Sequence, residues 1–99
     1  MNPQTKKMII EALIQVVESA PTKQGAFNNR EITKEIFEIW MNYVNSVFRI
    51  ISQYISNDSF FTAYNGIQNI VMRHDVNYTT KTYMICQNVL DFARIIINQ

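Results

Sequence analysis

The stretch from Asn28 to Ser56 constrains the fold more than any other, because apolar residues recur through it at helical spacing on two adjoining lines. Ile32, Ile36, Ile39, Tyr43, Val47, Ile50 and Tyr54 form one line; Phe37, Trp40, Val44, Phe48, Ile51 and Ile55 repeat it one position over. Steps of three and four keep side chains on one helical face. The residues left for water make a narrow strip, Glu31, Glu35, Glu38, Asn42, Asn45, Arg49, Ser52 and Ser56. Its acids lie toward the N-terminus and Arg49 toward the other end, as the helix dipole favours.

The start of this helix is expected at Asn28, with Glu31 completing a capping box and Phe27 and Ile32 a hydrophobic staple. At about 1.5 Å per residue such a helix is roughly 40 Å long, against a span of about 30 to 35 Å for a compact domain of this size. Two apolar faces on a helix that overhangs its own core need a second source of cover, and a second copy of the chain is the simplest. An obligate homodimer is therefore expected, with Ile36, Ile39, Trp40, Tyr43, Val44, Val47, Phe48 and Ile51 forming the core and interface. The competing reading is a monomeric four-helix bundle with a bent or broken second helix.

Three other helices are expected. Asn2 caps the first, Pro3 takes the first helical position, where its missing N–H costs nothing, and Pro21 ends it. Ile9, Leu13, Val16, Val17 and Ala20 are its buried stripe. Gly25 supplies the turn that follows. Asn57, Asp58 or Ser59 caps a third helix running to about Met72, with Phe60, Tyr64, Ile67 and Val71 as its seam. Gly66 in that helix points either to a close helix approach or to a local weak point. Arg73 to Asn77 is a polar turn, and Tyr78 to about Ile97 a fourth helix with Tyr83, Cys86, Val89, Leu90, Ala93 and Ile97 inward. The whole reads as a single all-α domain over residues 1–99.

Composition narrows the function. Hydrophobic residues make up 47% and aromatics 12%, which excludes intrinsic disorder. A net charge of +1 removes the main attraction toward nucleic acid or an anionic membrane. Lys6, Lys7, Lys23, Arg30, Lys34, Arg73, Lys81 and Arg94 are dispersed, so a DNA-binding regulator is the weaker alternative. A membrane-surface adaptor is a second alternative, disfavoured because the polar strip lacks lysines. Lys6 and Lys7 precede an apolar run, but Glu11, Gln15 and Glu18 interrupt it, so neither a signal peptide nor a membrane span is expected. The single cysteine cannot close an internal disulfide.

No catalytic constellation emerges. His74 stands beside Asp75, yet adjacency in sequence is not triad geometry. Cys86 falls on an apolar side, one His and one Cys give no metal-ligand spacing, and two distant glycines make no phosphate loop. Glu31, Glu35 and Glu38 suit the start of a helix without further purpose. The expectation is a non-enzymatic interaction or structural protein without cofactor, metal or small-molecule substrate, whose partner is itself. With only eight carboxylates, most facing water, it is also expected to be acid-stable.

Asn and Ile dominate the texture, as in Ile95-Ile96-Ile97-Asn98 and Asn65-Gly66-Ile67-Gln68-Asn69-Ile70. In length, texture and helical content the chain resembles the small all-helical proteins of filamentous archaeal viruses, the lipothrixviruses and rudiviruses. That resemblance carries no motif and implies a viral accessory or structural protein, acting in the host cytoplasm or the virion. A charged fraction of 17% departs from the dense Lys/Glu networks usual in proteins from hot environments.

Overall fold

Four α-helices and one short 3₁₀ turn, with no strand among the described residues, make up the computed structural model, which describes residues 2–23 and 31–99. They are α1 (Pro3–Glu18), a 3₁₀ turn (Pro21–Lys23), α2 (Lys34–Ile51), α3 (Asn57–Val71) and α4 (Tyr78–Ile97).

Each helix begins where a short polar side chain takes up a free backbone N–H. Asn2 accepts from the Gln4 amide at 2.7 Å, with Pro3 next to it as expected. Ser56 caps α3 by accepting from the Ser59 amide, one residue before the expected candidates. Asn77 caps α4 by accepting from the Thr80 amide at 2.8 Å.

The second helix differs most from its sequence expectation. It starts at Lys34, with Thr33 accepting from the Ile36 amide at 3.3 Å, and stops at Ile51. Phe27, Asn28 and the Gly25 turn lie outside the described residues. Glu31 and Ile32 precede the helix because the start of α4 holds them: the Ile32 amide donates to Thr79 Oγ1 at 2.8 Å, and Asn77 Nδ2 donates to Glu31 Oε1 at 3.3 Å. The capping box expected between Asn28 and Glu31 lies outside the described residues. Beyond Ile51, Ser52 Oγ donates to the Arg49 carbonyl and the chain turns toward α3.

An 18-residue helix is only about 27 Å long. The described residues extend 41 × 26 × 20 Å with a radius of gyration of 13.6 Å, so α2 does not overhang the core. The length mismatch from which the dimer was first inferred is therefore absent.

Helix α4 is the spine. It packs along α1, against α3 and against part of α2, while α1 also touches α2. The expected stripe of α1 is buried throughout, from Ile9 to Ala20. On α4 the buried face is turned by about one position from expectation: Lys81, Thr82, Ile85, Cys86, Val89, Phe92, Ala93 and Ile96 face inward, while Tyr83 and Ile97 are exposed and Leu90 is half-buried. Apolar residues on both flanks of this helix made either rotation compatible with periodicity alone.

Phe48 joins three helices. It is fully buried, stacks on Phe92 of α4 at 6.0 Å between centroids, and meets Phe60 and Tyr64 of α3 at 6.2 Å each. Burying a side chain of this size contributes roughly 1.5–3 kcal/mol, with about 0.5–1.5 kcal/mol more for each well-oriented ring pair. Trp40 performs a second junction: its indole N–H donates to the Val16 carbonyl in the last turn of α1 at 3.2 Å. At Gly66, an added Cβ would lie 2.9 Å from Asn88 Nδ2, so this glycine marks the close approach of α3 to α4.

Candidate functional site

The residues expected to form core and interface divide into two sets. Trp40, Val44, Val47, Phe48 and Ile51 are buried within the single chain, together with Phe37 and Met41. Ile36 is half-buried against them. Ile39 and Tyr43 point away, 70% and 41% exposed, and further along the same line Ile50 is 56% exposed; Tyr54, 46% exposed, lies in the turn beyond the helix. One apolar line of α2 thus builds the core, and much of the other lies on the surface.

Isolated exposed apolar residues are ordinary on proteins; aligned ones are not. Met8 and Ile14 on α1, Phe61 on α3 and Met72 just beyond it are exposed as well. On α4, Tyr83 is separated from the exposed Ile95 and Ile97 by Gln87, Asp91 and Arg94, which are joined by hydrogen bonds to Asp91. The α2 line is flanked by Glu35 and Glu38 at one end and Arg49 at the other, all exposed. Glu38 lies 3.9 Å from Lys34, whereas Glu35 and Arg49 form no side-chain hydrogen bond or ion pair among the described residues.

The residues with catalytic potential are not brought together. His74 is exposed in the turn between α3 and α4. Asp75 beside it is taken by Arg73, whose Nε donates to Oδ1 at 2.9 Å. That hydrogen bond holds the Asp75 carboxyl below its usual range and raises the guanidinium. Cys86 is buried, and burial pushes its thiol up to about 11, which keeps it in the inert protonated form at neutral pH. Among the described residues no three His, Cys, Asp or Glu side chains gather at metal-binding distance, and no helix is long and apolar enough to cross a membrane.

Concavities among the described residues include two of similar size. A groove of about 410 Å³ between α3 and α4 has Phe92 and Ile95 on its wall and Asp58 and Asp91 at its edge. A cleft of about 390 Å³ lies between α2, α3 and α4 and reaches Lys81, a residue that the sequence placed among the dispersed surface cations but that is only 7% exposed. Hydrophobic periodicity cannot flag a buried lysine. The available signal was the absence of any Asp or Glu three or four positions from Lys81 on its helix, with an aromatic ring at Tyr78 instead.

No protein-family model, curated protein or solved structure matches the chain.

Proposed function

We propose that this chain is a non-enzymatic interaction protein that works as a homodimer of individually folded subunits, joined through the outer face of α2. The observation that carries the proposal is the aligned exposure of Ile39, Tyr43 and Ile50 beside a core already closed by the other face of the same helix.

A second copy is the occupant that the flanking charges favour. In a two-fold antiparallel pair the same flank of both helices comes together, with opposite ends side by side. Centred near Tyr43, this pairing sets Ile36 level with Ile50 of the partner subunit and brings Glu38 close to the partner's Arg49. A parallel pair would leave each acidic end beside the other. The net charge of +1 adds little repulsion between copies. One helix face is small beside the roughly 800 Å² per partner of a standard stable interface, so association is reversible, in the micromolar range. The likeness in texture to small proteins of filamentous archaeal viruses extends the proposal to a viral accessory or structural role.

Cysteine pairing tests the arrangement. Ile36→Cys and Ile50→Cys are prepared separately in a Cys86→Ala background, mixed and mildly oxidised. A mixed disulfide in excess of either self-pair supports antiparallel contact. Self-pairing of Ile50→Cys alone would overturn that arrangement, and no cross-link at all would overturn the α2 interface. A salt-sensitive shift of random duplex DNA, or flotation with liposomes, would favour the regulator or the membrane adaptor instead.

A further inference from the structure

The neighbouring helix calls for glycine at position 66, where a Cβ would come 2.9 Å from Asn88 Nδ2. Asn65 precedes it, and of all the asparagines in the chain it alone is followed by glycine. That order is chemically unstable in a flexible chain, because no side chain on the following residue obstructs closure of the Gly66 backbone nitrogen onto Asn65 Cγ. The N–Cγ bond forms, the Cγ–Nδ2 bond breaks, and ammonia leaves with the proton of the Gly66 amide. Water then opens the cyclic imide at either carbonyl. Opening at Cγ gives aspartate. Opening at the main-chain carbonyl gives isoaspartate, in which the backbone runs through Cβ and Cγ and is longer by one methylene.

Helix α3 restrains this reaction. Asn65 and Gly66 lie in its interior, where each amide donates to the carbonyl four residues before it and the fixed backbone keeps the Gly66 nitrogen turned away from Asn65 Cγ. The Asn65 side chain is exposed and makes no hydrogen bond among the described residues, so the helical backbone is its protection. That protection is the weakest in the bundle. Ile67 and Ile70 are the two buried residues of α3, against four in α1, seven in α2 and eight in α4. Glycine in the middle of the helix weakens it further. Elements with few buried apolar contacts open locally far more often than the whole chain unfolds.

We propose that Asn65-Gly66 is a self-modification site, closed while α3 is helical and reactive whenever α3 opens, so that deamidation there is a one-way record of that opening. The isoaspartyl product brings an extra methylene and a new carboxylate to the place where α3 comes closest to α4, and α3 no longer closes against Asn88. The packing that calls for glycine at 66 is thus what creates the reactive pair. This site involves α3 and α4 and does not depend on the α2 dimer.

The test ages the full chain at mildly alkaline pH, in buffer and in concentrated urea where it is unfolded, and follows each asparagine by peptide mapping with chromatographic separation of the aspartyl and isoaspartyl forms. Hydrogen exchange of the Gly66 amide is measured in the same buffer. In urea Asn65 should convert severalfold faster than any other asparagine. In buffer its conversion should slow by about tenfold or more, and by the same factor that protects the Gly66 amide from exchange. Asn65→Gln should remain folded and unmodified at this position. The isoaspartyl fraction should lose exchange protection at Gly66 and Ile67, whereas Asn65→Asp, which adds the charge without lengthening the backbone, should keep it. Another asparagine reacting first in urea, equal rates in urea and buffer, or no conversion in buffer while the Gly66 amide exchanges would each overturn the proposal. So would an isoaspartyl chain with α3 still protected, or an equal loss of protection in Asn65→Asp.

Discussion

The two apolar flanks of α2 carry similar residues in the same rhythm, yet they have different fates. The line of Phe37, Trp40, Val44, Phe48 and Ile51 is sealed by α1, α3 and α4, while Ile39, Tyr43 and Ile50 meet solvent. Periodicity specifies which residues share a face; it does not say which face the rest of the chain reaches. What separates them here is the tertiary partner, Phe92 for Phe48 and the Val16 carbonyl for Trp40. The sealed flank holds the subunit together, and the open one is where we propose that a second copy docks.

That contrast is testable by substitution. Phe48→Ala removes the ring that three helices share and is expected to cost about 3–5 kcal/mol, a large part of the roughly 5–15 kcal/mol available to a domain; urea unfolding of the dilute protein measures it. Trp40→Phe keeps most of the apolar bulk but deletes the donor to Val16, with an expected loss of about 1–3 kcal/mol in the same assay. Ile50→Glu on the open flank should change dilute-state stability by no more than about 0.5 kcal/mol. A loss from Ile50→Glu as large as that from Phe48→Ala, measured where the protein is monomeric, would erase the distinction between the flanks.

Acid should have the smallest effect. Asp75 is the carboxyl held below its ordinary value, by the Arg73 hydrogen bond. A lowered folded-state value contributes stability that is present above the ordinary value and lost as pH falls through the folded one. Both side chains are substantially exposed, so solvent screens the contribution. Circular dichroism is expected to retain the helical signal down to about pH 3. Cooperative unfolding between about pH 5 and 3 would reveal a carboxylate on which the packing depends.

Helices α1 and α4 were legible because their limits are written locally. Asn2 and Pro3 open one, and the polar turn ending at Asn77 precedes the other. The start of α2 was not, since Asn28 and Thr33 are both competent caps and the described boundary at Thr33 accompanies ties from Asn77 and Thr79, far along the chain. The rotation of α4 was missed because Tyr83 and Ile97 are as apolar as Ile85 and Ile96, and the Lys81 cleft because a lysine reads as surface until its neighbours are known. Ile39 and Tyr43, expected from the sequence at core or interface, are exposed, while the length argument behind a dimer does not hold for an 18-residue α2.

Sedimentation equilibrium over a dilution series is the most direct test of the open flank of α2. The account predicts a reversible monomer–dimer equilibrium at micromolar concentration for the unaltered chain and a monomer, still fully helical, for Ile39→Lys combined with Ile50→Glu. A single folded subunit at every concentration up to the solubility limit would contradict it, as would a dimer that the paired charges leave intact.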